Sequence, residues 1–491
     1  MNDSNRVISF FDARKRTLII ALAYILWGFC WLLANWPGAM TVDSLETWIQ
    51  STTWQYAAAD PWLNAFSYSI ARLLWDSPAC IAIIQIFAFS FYFASILTYF
   101  NRCGFKTRFL KLIGLSIFLG LPIWLYAIML WKDVPFTLCL IAAVFALYKI
   151  IMDYRDNMSV CQLTSATLFS LYIIGVFAFR FNGIFAFGLL LFFFHPAFGS
   201  WKRRGLFFLS TSFCIVLILI IIPLITKIHT RTHQLSDYGL FIINPIAALH
   251  HAPGGYRTPD PELDRQVLGQ IFDIDCLKER YDPLHIRPAL SCLRTNDVEP
   301  EQVSRLIRTY LPRLLENPEV VIADRIQMFQ SAIMHTSKRY GLRWVNVLAD
   351  PSDAVFPRPI VEVAKSIGYG PVKLFTKVLK PFNYLWQRVG VLVWNAFPGL
   401  IMTLAMVVLY RFVPITASIC IVVLMLTAGT LMVLPGDSFR YFFYLYVLAP
   451  VLLLMGLNEG RSALRARYRL LLFSTDTSEF TSANMANQRR F

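Results

Sequence analysis

Six isolated charged residues between the apolar stretches of the chain are the first candidates for chemistry. They come from four separated segments of sequence: Asp43, Lys132, Asp133, Arg180, Asp437 and Arg440. A carboxylate can serve as a general base or hold a divalent cation, and Lys and Arg can hold a phosphate group. Because ionisable groups at membrane depth are costly, they usually serve a function there. Together they predict a site for a phosphate-bearing, lipid-linked donor and a hydroxyl acceptor.

Each of these residues also has a purely structural interpretation. Asp43 follows a Pro-Gly turn, and Asp is a favoured N-cap for the helix expected next. In the pair Lys132-Asp133, the Lys could snorkel to the surface while the Asp caps a helix. Arg180 could simply mark a turn, and Arg440 could pair with the carboxylate three residues before it. The sequence leaves both interpretations open.

The composition places these residues in a membrane protein. Of the 491 residues, 57% are hydrophobic, 15% aromatic and 15% charged, and the mean hydropathy is +0.54. A soluble chain carries about a quarter charged residues, and a disordered chain lacks aromatic residues. The basic residues lie mostly in short segments between apolar runs, so we attribute the net charge of +15 to membrane topology and not to nucleic-acid binding.

Ten apolar runs are long enough to cross about 30 Å of hydrocarbon. They lie near 17–36, 78–100, 109–130, 134–151, 163–179, 183–199, 205–226, 389–410, 412–434 and 439–457. Clusters of Lys and Arg occupy every second boundary, which predicts that both termini are cytoplasmic. The predicted fold class is an all-α polytopic membrane protein with about ten transmembrane helices and an extracytoplasmic, mainly helical soluble domain.

Four regions follow from this pattern. They are an N-terminal transmembrane module at 1–226, an extracytoplasmic soluble domain at 227–388, C-terminal transmembrane helices at 389–460 and a cytoplasmic tail at 461–491. The first outer loop, 37–77, contains an amphipathic stretch that predicts a helix lying on the membrane surface from Trp62 to Trp75.

The soluble domain contains helical patterns at 299–316 and 319–340. Its two cysteines, Cys276 and Cys292, could pair in an oxidising compartment or remain as two buried thiols. After residue 472 the composition is typical of a disordered tail.

Nucleotide and metal motifs are absent from the sequence. It contains neither a GxGxxG after a strand nor a GxxxxGK loop, which favours a donor without a nucleotide. His229 and His233 have helical i, i+4 spacing without an HExxH pattern, so their spacing gives only weak support for a metal site. No cofactor is certain, and a divalent cation held by the carboxylates is the one option.

The sequence resembles the bacterial GT-C superfamily of membrane glycosyltransferases, which use polyprenyl-phosphate sugars on the outer face of the cytoplasmic membrane. The resemblance rests on Pro37-Gly38 with Asp43-Ser44, the surface helix that follows, Lys132-Asp133, and Arg180-Phe181-Asn182-Gly183. It also covers the layout of about seven spans, an outer domain and further spans. The bacterial cytoplasmic (inner) membrane, with the active site on its extracytoplasmic face, is what this resemblance implies.

The resemblance also implies roles for individual residues. Asp43 matches the first-loop acid that serves as catalytic base and Asp133 a second outer-loop acid near the donor, so both are expected to be catalytic. Lys132 and Arg180 fall where the donor phosphate binds in the family. Arg440 is expected to bind the phosphate from its own position at the start of the last span. The expected substrate-binding residues are Glu46, Asp60 and Asn182. One departure is that the family commonly has His before Pro in the first loop, whereas this chain has Asp60-Pro61. The implied reaction is a direct displacement with inversion.

The expected function is transfer of one sugar from a polyprenyl-phosphate donor to a cell-envelope glycan or lipid acceptor. A lipid-linked glycan flippase or transporter is one alternative, although such a protein places charges near the bilayer midplane, often in repeated broken helices. An oligosaccharide ligase or polymerase is another, because Arg257, His250 and His251 lie in the large loop. The expected partners are the lipid-linked donor, the acceptor and membrane lipid, and no nucleic acid.

Overall fold

A computed structural model of the protein describes most of the chain. The described residues are 3–56, 61–155, 162–222, 240–284, 287–294, 298–334, 346–349, 358–389, 394–434 and 438–488. Within these ranges the regular secondary structure is helical, and the β contacts are two isolated bridges. The all-α class is confirmed.

The helices fall into an N-terminal and a C-terminal series. The first series is α1 (Asp3–Ala34), α2 (Val42–Thr53), α3 (Trp62–Leu74), α4 (Pro78–Arg102), α5 (Thr107–Leu119), α6 (Leu121–Ala127), α7 (Asp133–Arg155), α8 (Gln162–Phe179), α9 (Gly188–Leu191) and α10 (Trp201–Val216). The second is α11 (Leu240–His251), α12 (Pro261–Gly269), α13 (Ile274–Glu279), α14 (Arg287–Leu290), α15 (Pro300–Glu316), α16 (Pro318–Met334), α17 (Arg358–Ile367), α18 (Lys373–Arg388), α19 (Phe397–Val408), α20 (Pro414–Met432) and α21 (Phe443–Gln488).

Six helical segments in the described part of the chain are long and apolar enough to cross a membrane. They are Arg14–Ala34, Pro78–Arg102, Asp133–Arg155, Trp201–Ile221, Pro414–Met432 and Phe439–Arg465. Helices α5 and α6 pass the same test as a pair bent by 53° and would make a seventh span. Three shorter apolar segments are Leu163–Phe179, Phe181–Phe194 and Phe397–Val408. Each of the ten predicted runs overlaps one of these segments. The prediction and the structure therefore agree on a helical chain with several candidate membrane spans.

The first predicted outer loop forms two short helices. Helix α2 is capped by Thr41, whose hydroxyl accepts a hydrogen bond from the backbone N–H of Ser44. Asp43 therefore sits in the first turn, and the interpretation that it is the N-cap is wrong. Helix α3 covers the predicted surface helix almost to its end, and its mixed faces bury Asn64 while leaving Leu73 exposed.

The strand-like link between α1 and α2 packs on the link between α6 and α7. Ala39 donates its N–H to the carbonyl of Ile128, and Leu130 donates back to the carbonyl of Ala39. Gly38 precedes this contact with φ +137, a backbone conformation that favours glycine. This pairing fixes Asp43 and Lys132, which follow the two links, at the same end of the helix bundle.

The region predicted to be a soluble domain, which we call the soluble region, has its own apolar core, built from α11 to α16. Buried Asp264 is satisfied by an ion pair with Arg313 at 3.2 Å and by the hydroxyls of Tyr256 and Thr258. The two predicted helical patterns correspond to α15 and α16, and residues 335–340 of the second lie outside the described residues.

The structure tests two predictions, one about the cysteine pair and one about the C-terminal tail. Cys276 and Cys292 form a disulfide, so the alternative of two free thiols is wrong. The predicted disorder after residue 472 is also wrong, because α21 continues to Gln488. That stretch contains neither Pro nor Gly after Gly460, so an existing helix can propagate through it.

The 3₁₀ turn Phe181–Ala186 packs so closely on α8 that Gly183 is required. A Cβ at Gly183 would lie 2.1 Å from the carbonyl oxygen of Val176. We expect Gly183→Ala to destabilise the protein by about 1–3 kcal/mol, measured as a lower Tm in detergent, because the backbone must shift. Gly205→Ala is the control, since nothing lies within 4 Å of its added Cβ. Equal Tm values for both variants would contradict the close packing.

Candidate functional site

A small open pocket lies where the two paired links meet the first turn of α2. Its enclosed space is about that of one water molecule, and the rest of it opens to solvent. The residues that line it are Asp43, Ser44, Thr47, Asn64, Leu130, Trp131, Lys132, Asp133 and Arg440. Four of the six charged residues singled out from the sequence are therefore brought together here.

Asp43 and Arg440 form the outer ion pair of the pocket. The Nη1 atom of Arg440 lies 2.5 Å from Oδ2 of Asp43, although 397 positions separate the two residues in sequence. The Asp43 side chain is 44% exposed and that of Arg440 18% exposed. A ligand in the pocket can therefore approach the carboxylate directly.

Aromatic rings hold the Arg440 guanidinium in place. Its central carbon lies 5.2 Å from the centre of the Trp131 ring and 5.1 Å from that of Tyr441, within cation–π range. It also donates a hydrogen bond to the Tyr441 hydroxyl at 3.2 Å. The indole N–H of Trp131 in turn donates to the hydroxyl of Thr41, the cap of α2. Trp131 thus links the position of Arg440 to the helix that carries Asp43.

Asp133 and Arg180 form a second, deeper ion pair. Nη1 of Arg180 lies 2.7 Å from Oδ1 of Asp133, and the two side chains are 8% and 2% exposed. This contact lacks the alignment of a hydrogen bond, so the attraction is mainly between charges. The Arg180 guanidinium also lies over Tyr441, 5.0 Å from the ring centre. Tyr441 therefore contacts both arginines and joins the two ion pairs.

Helix α16 of the soluble region supports the turn that carries Arg440. Arg325 donates to the carbonyl of Leu434 at 2.5 Å, and it is paired with Asp324 at 3.3 Å. Phe329 packs edge-to-face on Phe442 with ring centres 5.1 Å apart. The outer ion pair consequently depends on packing between the soluble region and the last membrane helix.

The other predicted site residues occupy different environments. Lys132 is half-buried and lines the pocket, whereas Glu46 is exposed on α2 and is not among the lining residues. Asn182 is buried and donates to the hydroxyl of Thr430 at 2.7 Å, away from the lining. Asp60 and Asp437 lie outside the described residues.

Asn64 is a lining residue that the sequence analysis missed. It is 1% exposed, and its Oδ1 atom has no hydrogen-bond partner among the described residues. The available signal was its place on the polar face of the amphipathic helix, opposite the exposed Leu73. Ser44 and Thr47 add two further hydroxyls from the buried face of α2.

The charges of the site are balanced pair by pair. Each of the two carboxylates, Asp43 and Asp133, has an arginine partner, and Lys132 lies beside them in the lining of the pocket. In the described ranges, no group of three or more His, Cys, Asp or Glu side chains could hold a metal ion. The arrangement suits an anion that enters beside Lys132 and competes with Asp43 for Arg440.

The histidines proposed for a ligase or polymerase belong to the soluble region. His250 is hydrogen-bonded to the Tyr310 hydroxyl at 2.8 Å, and burial lowers the pKa of His250 to about 4. His251 is exposed, and Arg257 forms an exposed ion pair with Glu319. None of these three residues lines the pocket.

The two ion pairs should respond differently to loss of their carboxylates. Asp133→Asn should lower the free energy of unfolding by about 3–5 kcal/mol, because it leaves Arg180 as a buried, unpaired charge. Asp43→Asn should cost about 1 kcal/mol or less, because Asp43 faces water. Chemical denaturation in detergent measures both.

The double variant Asp133→Leu with Arg180→Leu is the control for this experiment. It removes both buried charges, so it should recover much of the stability lost in Asp133→Asn. Equal losses for Asp43→Asn and Asp133→Asn would contradict the distinction between an outer and a buried pair.

The chain was compared with protein-family models, curated proteins and solved structures, and none of them matches it.

Proposed function

We propose that this protein is a membrane glycosyltransferase. It moves a sugar from a polyprenyl-phosphate donor to a cell-envelope glycan or lipid acceptor on the outer face of the bacterial cytoplasmic membrane. In this proposal the chain crosses the membrane about ten times, both termini are cytoplasmic, and the 227–388 domain is extracytoplasmic. The Cys276–Cys292 disulfide supports that placement, because disulfides persist in oxidising compartments.

The observation that carries the proposal is the outer ion pair beside a lysine in one pocket. Asp43, Arg440 and Lys132 come from three distant parts of the chain and line the same small space. A carboxylate that can accept a proton and cations that can hold a phosphate are the two requirements of sugar transfer from a lipid phosphate. The exposed carboxylate and the half-buried cations meet both.

The proposed reaction is one displacement. The acceptor hydroxyl loses its proton to Asp43 while its oxygen bonds to the anomeric carbon of the sugar. The bond from that carbon to the phosphate oxygen breaks, and its electron pair leaves with the polyprenyl phosphate, held by Lys132 and Arg440. Attack opposite to the leaving group inverts the anomeric configuration. Lys132 and Arg440 supply the positive charge for the leaving phosphate in this proposal, because each site carboxylate already has a guanidinium partner.

Donor binding activates the base in this scheme. Asp43 is paired with Arg440 before the donor binds, and the guanidinium occupies one oxygen of its carboxylate. A donor phosphate that takes over the Arg440 guanidinium separates the pair and leaves the carboxylate available for the proton. Asp133 and Arg180 are proposed as positioning residues, since their buried pair supports Tyr441 beneath Arg440.

Replacement of Asp43 tests the function. Asp43→Asn should lower sugar transfer by at least about 100-fold, because loss of a general base typically costs that much. The measurement is mass spectrometry of envelope glycans and glycolipids from a deletion strain that is complemented with wild type or with the variant. A single-sugar increment should return with wild type only.

Asp76→Asn is the matched control, because Asp76 is an exposed carboxylate paired with Arg72 outside the pocket. It should restore the sugar at the wild-type level. Full transfer by Asp43→Asn at equal protein level would contradict the proposed base. An unchanged glycan profile with an altered distribution of the lipid carrier would contradict transfer and favour a flippase.

A further inference from the structure

Helix α18 carries a continuous basic stripe. Its sequence, KLFTKVLKPFNYLWQR, contains four basic residues and no acidic one. At 100° per residue these four fall within an arc of about 80° on the helix surface. They are Lys373, Lys377, Lys380 and Arg388. The positive charge of the helix is therefore concentrated on one line along its length.

The opposite face of α18 packs on the protein. Leu379 is 1% exposed, and Phe375 and Phe382 pack partly buried against the main core. These three side chains lie about 180° from the basic stripe. The stripe consequently points away from the protein, and its three lysines are all exposed.

Contacts with α1 place α18 at membrane level. Gly370 and Val372, just before α18, donate backbone hydrogen bonds to the carbonyls of Trp36 and Leu33. Phe382 packs edge-to-face on Trp27 with ring centres 5.5 Å apart. Trp27 lies within the apolar Arg14–Ala34 segment, about 10 Å from its end. Helix α18 therefore lies beside the part of α1 that reaches the same end of the bundle as the pocket.

Two apolar side chains beside the stripe are exposed in the part of the chain that the structure describes. Leu374 is 64% exposed and Val378 is 47% exposed. On the helix surface both lie between the basic stripe and the packed face. A helix with a basic line, an apolar flank and a position beside a membrane span is typical of one that lies in the lipid interface.

We infer that α18 binds anionic phospholipid headgroups of the leaflet on the pocket side of the membrane. Lys373, Lys377 and Lys380 contact the phosphates, and Leu374 and Val378 enter the upper acyl region. A soluble polyanion would match the lysines but leave the two apolar side chains in water. The exposed apolar flank is therefore what selects a lipid. This inference does not depend on the proposed function.

Lipid binding to the full-length protein in a neutral detergent tests the inference. The probes are phosphatidylglycerol and phosphatidylcholine with identical acyl chains, and bound lipid is counted by native mass spectrometry. Wild type should prefer phosphatidylglycerol, and the preference should fall as salt is raised. Lys373→Gln, Lys377→Gln and Lys380→Gln together should weaken phosphatidylglycerol binding by about fivefold for each lysine removed.

A charge-matched control removes three exposed basic residues from the soluble region. Lys278→Gln, Arg305→Gln and Arg308→Gln together lower the net charge equally and should leave phosphatidylglycerol binding unchanged. Equal binding by the stripe variant and the control variant would overturn the inference, as would wild-type protein without a preference between the two lipids.

A third variant distinguishes a lipid from a soluble anion. Leu374→Gln with Val378→Gln should weaken phosphatidylglycerol binding while all lysines remain. Glycerol phosphate, which has the headgroup charge but no acyl chain, should compete weakly with the lipid. Strong competition by glycerol phosphate, or full lipid binding by Leu374→Gln with Val378→Gln, would show a site for soluble anions and overturn the assignment to lipid.

Discussion

The pairing of charges at one end of an apolar helix bundle is the constraint on which this structure depends. An unpaired buried charge is expensive, and even a well-formed buried pair contributes little net stability. The deep Asp133–Arg180 pair is therefore poor evidence of selection for stability alone. Arg180 of this pair lies over Tyr441, and Arg440 of the outer pair lies over the same ring. The buried pair therefore also helps to fix the position of the outer pair.

Four separate parts of the chain must be in place for these pairs to form. The link after α1 packs on the link before α7, which brings Asp43 close to Lys132. The 3₁₀ turn after α8 presents Arg180, and its close approach to α8 requires a glycine at 183. Helix α16 packs on the turn before α21 through Phe329 and Phe442, and its Arg325 donates to the carbonyl of Leu434 after α20. The pocket is thus a product of the whole fold and not of one local motif.

The sequence predicted the helices and most of the charged residues of the pocket for simple physical reasons. A long apolar run in a membrane forms a helix because only the helix hydrogen-bonds all of its backbone N–H and C=O groups. Isolated charges between such runs are costly and therefore easy to identify as candidates for function. The partners of these charges were not predictable, because the Asp43–Arg440 pair joins residues at opposite ends of the chain. The alternative interpretation that Asp43 caps α2 failed because Thr41, two residues earlier, is also a favoured cap and took that position. Asn64 was missed because the polar face of a membrane-surface helix is expected to face water, whereas the polar face of α3 is buried against the protein.

Binding of a polyprenyl phosphate without a sugar tests the central claim most directly, because the two members of the outer pair should have opposite effects. If the lipid phosphate competes with Asp43 for Arg440, Asp43→Asn should bind undecaprenyl phosphate more tightly than wild type. Arg440→Gln should bind it more weakly. Weaker binding by Asp43→Asn, or wild-type binding by Arg440→Gln, would contradict the account of a phosphate that displaces the carboxylate.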